Sequence, residues 1–154
     1  MDKNTVVEET KQYIVAKLDI EQFGIDIGYI DNIVRMQKIT RIPKSQRYFK
    51  GVINLRGEVI PVMSLRLKFD LDDDVITNAS RIIIIKLENS GMVGLIVDEV
   101  KEVVTLASGE VEKPKASKDS KNNEMQRFLS GIGKHGDTLI SLLNINNVVM
   151  DKES

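Results

Sequence analysis

The sequence predicts a mainly β fold built of small barrels, with only short helices. Three observations carry this. Short runs rich in apolar and β-branched residues recur along all 154 residues. Glycine, asparagine and aspartate punctuate them at close intervals. Helical spacing of apolar residues never lasts more than a turn or two, so the long helices of an alternating α/β chain are missing.

The elements follow in order. Residues 1–11 are polar and read as a mobile tail, ahead of one domain, or two small ones sharing a core, over 12–150. Residues 13–18 form a first strand, and 23–27 a second after a turn at 19–22. Over 29–35, Ile30, Ile33 and Val34 fall at helical spacing and predict a short helical turn. Residues 39–42 are extended and are stopped by Pro43. The stretch GVINLRGEVIPV, 51–62, then reads as two apolar strands joined at Arg56-Gly57. With a two-residue loop, Leu55 faces Glu58, Asn54 faces Val59 and Ile53 faces Ile60. Gly57 takes the positive φ that such a turn needs. Arg56 is then a fixed cation at an exposed tip, suited to docking and not to chemistry.

Over 64–69, Leu65, Leu67 and Phe69 alternate, as a strand or a helical turn. Asp70, Asp72, Asp73 and Asp74 make an acidic surface loop. Residues 81–87 and 92–97 form a hairpin around Asn89-Ser90-Gly91, and 99–106 another strand. The stretch 112–126 holds Lys113, Lys115, Lys118 and Lys121 and reads as a long solvated loop. Residues 128–133 and 138–142 pair around Gly136-Asp137, and Ile145, Val148 and Val149 predict a closing helix.

Composition excludes several functions. The net charge of −1 offers no basic excess for nucleic acid. The chain has no cysteine, which removes disulfides, thiolate catalysis and thiolate zinc sites and fits a reducing cytosol. No apolar run approaches the ~20 residues of a membrane span, and the N-terminus lacks the form of a signal peptide. These features predict a cytoplasmic protein. His135 is the single histidine, beside a turn glycine, and reads as an exposed turn residue. No glycine-rich phosphate loop occurs. The aspartates of 70–74 lack the glycine and the distant glutamate of a calcium loop. Asp98 ends an apolar strand, as a phosphorylated aspartate does in receiver domains, but the alternating helices of that fold are absent. The residues therefore predict no catalytic group, no cofactor and no metal.

Five blocks resemble the CheW family of chemotaxis coupling proteins, and they occur in the family's order. They are YIVAKLDIEQFGIDI (13–27), IDNIVRMQKITRIP (30–43), GVINLRGEVIPVMSLRLKF (51–69), GLIVDEVKEVV (94–104) and FLSGIGKHGDTLISLLNINNVV (128–149). The third is the most specific. The resemblance implies two small SH3-like five-stranded β-barrels packed together. It also implies a scaffold without chemistry, cytoplasmic and recruited to membrane-associated receptor arrays. It would couple the cytoplasmic tips of chemoreceptors, seated in a groove between the barrels, to the regulatory domain of the histidine kinase CheA. No nucleic acid and no direct membrane insertion are expected. Matched by position, Ile30, Asn32, Ile39, Gly51, Arg56, Gly57, Val100 and Val103 fall where the family couples to partners. The family often carries glutamate where this chain has Asn32, with Asp31 as the nearest acid. A second reading is a CheW-like module of a CheV-type or kinase protein, and a third, an unrelated small-barrel enzyme, is disfavoured by the missing catalytic constellation.

Overall fold

The computed structural model describes residues 9–89, 91–114 and 125–150. Eleven strands run in order through these residues. They are β1 (Thr10–Leu18), β2 (Glu21–Asp26), β3 (Ile30–Arg35), β4 (Phe49–Leu55), β5 (Glu58–Ser64), β6 (Arg81–Leu87), β7 (Gly91–Val97), β8 (Glu99–Ala107), β9 (Val111–Glu112), β10 (Leu129–His135) and β11 (Thr138–Leu143). Helix α1 (Leu65–Lys68) follows β5, and α2 (Ile145–Met150) follows β11. The strands form a five-stranded sheet, β3-β6-β7-β5-β4, and a six-stranded sheet, β8-β1-β2-β11-β10-β9.

Each sheet curls into a barrel. The chain leaving β3 returns to the far edge of its sheet, where Thr40 and Val52 exchange N–H···O bonds of 2.8 and 2.9 Å. In the other sheet the chain leaving β8 returns as the two-residue β9, which pairs with β10. The two barrels share one topology. Reading β8-β1-β2-β11-β10 against β3-β6-β7-β5-β4, every strand has a counterpart, including the parallel pairs β11 with β2 and β5 with β7. The first barrel is continuous in sequence. The second is completed by β1 and β2, from the opposite end of the chain.

The core has three parts, set by strand alternation. Ile53, Ile60, Val62, Ile82, Ile84 and Ile96 fill the first barrel. Val15, Val104, Leu106, Ile140 and Leu142 fill the second. Between the barrels lies a larger cluster. It takes Ile83, Ile85, Leu95 and Val97 from one side and Ala16, Leu18, Phe23 and Ile25 from the other. Helices α1 and α2 add Leu65, Leu67, Ile145 and Val148. The four isoleucines of β6 are thus all fully buried, alternately into the first barrel and into the seam.

Several expectations meet the structure directly. The 51–62 hairpin has the predicted register, Ile53↔Ile60, Asn54↔Val59 and Leu55↔Glu58. The hairpins over β6–β7 and β10–β11 also form, the second turning after His135↔Thr138. The stretch 29–35 does not form a helical turn. A 3-10 turn, Ile27–Tyr29, precedes it, and Ile30, Ile33 and Val34 lie on strand β3. A register shift between Ile30 and Asn32 interrupts the alternation, and both faces are covered. Ile30 and Ile33 pack on the seam and Val34 on the first barrel's interior, so their spacing imitates a helix. Strand β1 starts at Thr10, earlier than expected, because Thr10 and Lys11 pair with Ala107 and Leu106. Residues 1–8 of the expected tail and 115–124 of the lysine loop lie outside the described residues.

Removing a seam side chain opens a cavity between two rigid sheets that cannot collapse separately. Ile83→Ala should therefore cost about 2–5 kcal/mol. Urea unfolding should show one shifted transition, and two separate transitions would mean that the barrels unfold independently.

Candidate functional site

The hairpin tip carries the clearest local design. Arg56 and Gly57 both have positive φ, 53° and 83°. That combination defines the type I′ turn that matches the twist of paired strands. The Asn54 Oδ1 accepts a 3.2 Å hydrogen bond from the Gly57 amide and braces the turn. A Cβ on Gly57 would touch nothing within 4 Å, so the glycine is there for its backbone and not for space. Arg56 is exposed, with no hydrogen bond or ion pair among the described residues. A non-glycine residue pays strain in this conformation.

Gly51 has a different duty. It is buried, with φ 138°, and a Cβ there would stand 2.1 Å from the Thr40 carbonyl oxygen. The absent side chain lets the closing segment cross β4 and make the Thr40–Val52 bridge. Gly131 does the same in the second barrel, where a Cβ would meet Val111 at 2.8 Å. Ile39 packs on the first barrel's interior just before this bridge.

Asn32 turns its Oδ1 onto the neighbouring Ile33 amide, 2.8 Å away. Of the remaining matched residues, Ile30 and Val100 are half-buried and both pack on the seam, one from each barrel. Val103 faces outward on β8 opposite Ile14, with half its surface exposed. The eight residues therefore do not form one cluster. Ile30 and Val100 mark the seam, Arg56 and Gly57 the hairpin tip, Gly51 and Ile39 the closure of the first barrel, and Asn32 and Val103 an edge on each barrel.

Sequence reasoning missed the strongest electrostatic feature. The Arg66 guanidinium, only 11% exposed, reaches from α1 across to the second barrel. Its Nε donates to Asp98 Oδ1 at 2.8 Å and its Nη2 to Asp98 Oδ2 at 2.6 Å, a bidentate pair. The same Nη2 donates to Asp19 Oδ1, on the β1–β2 turn. The Asp19 amide in turn donates to Asp98 Oδ2 at 2.9 Å. Burial pushes the Asp98 carboxyl up, but the Arg66 hydrogen bonds and the Asp19 amide outweigh it and hold Asp98 below the usual carboxylate range. Asp98 is thus a structural anchor, in keeping with its poor fit to a receiver site. The alternation of SLRLKF hid Arg66, because charged residues in such a pattern ordinarily face solvent. Here both Arg66 and Lys68 are buried, and the Lys68 ammonium lies 4.1 Å from the Tyr48 ring centroid.

The 70–74 loop exposes Asp70, Asp72 and Asp73 at the surface as expected, but Asp74 is half-buried. Lys50 forms a 2.5 Å ion pair with Asp73, and its hydrogen bond is the main cause holding that carboxyl below its ordinary value. Asp74, next to it, moves the other way. Burial pushes its carboxyl up, and neither of its oxygens finds a hydrogen-bond partner among the described residues, since the nearby Ser64 hydroxyl is taken up as the acceptor that caps α1 at the Leu67 amide. His135 ends β10 and is exposed. Among the described residues no group of three or more histidines and carboxylates is placed to hold a metal ion. Among the same residues no helix is long and apolar enough to cross a membrane.

This arrangement of two interlocked barrels recurs in known proteins. Residues 12–153 match the CheW-like domain family. The chain belongs to that family. It is 33% identical over 148 residues to the chemotaxis protein CheW of Bacillus subtilis strain 168, covering 96% of this chain and 92% of the relative. The crystal structure of the scaffolding protein TtCheW from Thermoanaerobacter tengcongensis superposes with a TM-score of 0.81 at 32% identity, over 95% of this chain and 98% of that one. The chemotaxis protein CheV3 of Helicobacter pylori is 22% identical over 130 residues, 84% of this chain and 41% of the relative. As a member of the CheW family, the chain is a chemotaxis adaptor.

Two substitutions test these assignments. Gly51→Ala should cost about 3 kcal/mol or more, since it adds a disfavoured φ to a backbone clash. Its melting temperature should fall sharply, and a parent-like value would refute the barrel-closing role. Arg66→Met leaves Asp98 without its partner and should cost about 2–3 kcal/mol at pH 7. A depressed folded-state pKa contributes stability above the ordinary carboxylate value near 4, and that contribution is lost as pH falls. The parent should therefore lose stability below about pH 4 more steeply than the variant. Parallel pH–stability curves for the two would show that the pairing is energetically idle.

Proposed function

We propose that this chain is a non-catalytic scaffold that couples the cytoplasmic tips of chemoreceptors to the regulatory domain of the histidine kinase CheA. It works in the cytoplasm, recruited to membrane-associated receptor arrays. The observation that carries the reading is Arg56, an unpaired cation fixed on a type I′ turn at the end of two paired strands. A charge held this way loses little rotational freedom of its backbone on docking, which favours a partner contact over a solvated surface role. Family membership supports the same reading, as does the likeness to a protein described as a scaffold.

In this reading the helical receptor tip docks beside the seam, where the half-buried Ile30 and Val100, one from each barrel, would serve as apolar anchors. Val103, exposed on β8, adds apolar surface on the second barrel. Asn32 stands where the family often has glutamate and accepts from the neighbouring Ile33 amide, so a charge pairing carried by that glutamate is not available to this chain. Identity favours the adaptor over the module of a CheV-type protein, at 33% against 22%.

Arg56→Ala should leave the melting temperature within about 1 °C, because exposed ion pairs contribute little and alanine suffers the same backbone strain. It should weaken co-sedimentation with receptor fragments and CheA by about tenfold or more, as loss of a docking anchor does. Full assembly by a folded Arg56→Ala protein would sink the proposal for this residue.

A further inference from the structure

The charge of this chain is unevenly distributed. Residues 32–57 hold seven of its 22 lysines and arginines and none of its 23 acids. Within that stretch Lys38, Arg41, Lys44, Arg47 and Lys50 recur at every third position. Arg41, Lys44, Arg47 and Lys50 line an open groove along the segment between β3 and β4, together with Phe49 and Asp73. The backbone at Lys44 is held left-handed, φ 61°, just after Pro43, and the Ser45 hydroxyl closes the bend onto the Ile42 carbonyl at 2.9 Å. The cations are thus displayed on a shaped bend and not on a straight strand.

The groove already holds one carboxylate, and a second approaches one of its lining residues. Asp73 pairs with Lys50 at 2.5 Å, and Asp70 lies 3.8 Å from Arg47. Both acids come from the loop after α1. Arg41 and Lys44 have no acidic partner among the described residues. We propose that this groove docks an acidic segment of another protein, and that Asp73 occupies part of it as an internal competitor. The incoming carboxylates pair first with Arg41 and Lys44 and then displace Asp73 from Lys50.

Two features select an acidic polypeptide over other anions. The anion seen in the groove is a carboxylate carried on a loop, as it would be in a partner. A nucleic acid or an anionic bilayer presents an extended field, and the rest of this chain, where all 23 acids lie, repels it. A short acidic segment meets only the groove. The site is distinct from the Arg56 tip, since the two lie at opposite ends of β4, about 20 Å apart along the strand. It depends on neither the receptor nor the kinase assignment.

The test uses the purified full chain and a fluorescein-labelled dodecaglutamate, read by anisotropy at low salt and at about 150 mM. The parent should bind at low salt and weaken as salt rises. Arg41→Glu with Lys44→Glu should weaken binding about tenfold or more. Asp73→Asn, which removes the competitor, should tighten it about threefold or more. Lys86→Glu, at an exposed cation outside the segment, should stay within about twofold of the parent. Circular dichroism confirms that each variant is folded, and Lys44→Gln serves as a milder second change. Three results would overturn the proposal: no binding by the parent, no gain from Asp73→Asn, or equal loss from Lys86→Glu. Tighter binding of oligouridylate or phosphatidylserine vesicles than of the peptide would overturn it as well.

Discussion

The apolar seam between the barrels is where both sheets obtain their second dry face. A strand such as β6, with four consecutive isoleucines, cannot lie on the outside of a lone barrel. Ile82 and Ile84 enter the barrel, and Ile83 and Ile85 need cover from elsewhere. Ala16, Leu18, Phe23 and Ile25 supply it from the second barrel, which has the same need. Each fully buried side chain of this kind contributes roughly 1.5–3 kcal/mol, so the seam outweighs any single polar contact in the molecule. The Arg66 network then acts at the rim. It joins α1, the link from β7 to β8 and the β1–β2 turn, and so fixes how the two barrels sit across the seam.

The repeated topology explains why particular residues recur at matching places. Both barrels bring the chain back across a glycine, Gly51 in one and Gly131 in the other, and both show a register shift beside it. Both send a short helix into the seam after the strand that carries a parallel neighbour. Ser64 caps the first helix at the Leu67 amide, and Asn144 caps the second at the Asn147 amide. The functional differences lie where the copies diverge. The first barrel has Arg56-Gly57 at its hairpin tip and the second has Gly136-Asp137, so opposite charges stand at equivalent turns.

Much of this was legible in the sequence, and the failures have physical causes. The hairpin register at 51–62 follows from one turn glycine and two alternating strands, which are local signals. The β10–β11 hairpin and the closing helix are local in the same sense. Strand β3 was misread because a bulge and two covered faces produce apolar spacing of helical type. Arg66 and Asp19 could not be found, because their pairing joins parts of the chain far apart in sequence and the local pattern placed Arg66 in water. Asp98 drew notice as a possible acceptor, yet its role is set by a guanidinium that no neighbouring residue announces. Among the eight family-matched residues, the turn conformation of Gly57 was readable in advance. The tight crossing at Gly51 was not, since the segment it meets is brought there by barrel closure.

The chain order of the second barrel has a consequence for how the protein is made. Strand β2 pairs through Phe23 with Ser141 of β11, so its parallel neighbour is synthesised more than a hundred residues later. The first barrel, by contrast, lies within one uninterrupted stretch from β3 to β7 and can close while the ribosome is still working. At ordinary elongation rates the β1–β2 hairpin is made on the order of ten seconds before the β11 strand that pairs with it. The seam face of the first barrel is synthesised before β11 and carries the isoleucines that cover Phe23 and Ile25 in the finished molecule. The strand order thus places a complete apolar face of the first barrel within reach of β1 and β2 before β11 exists.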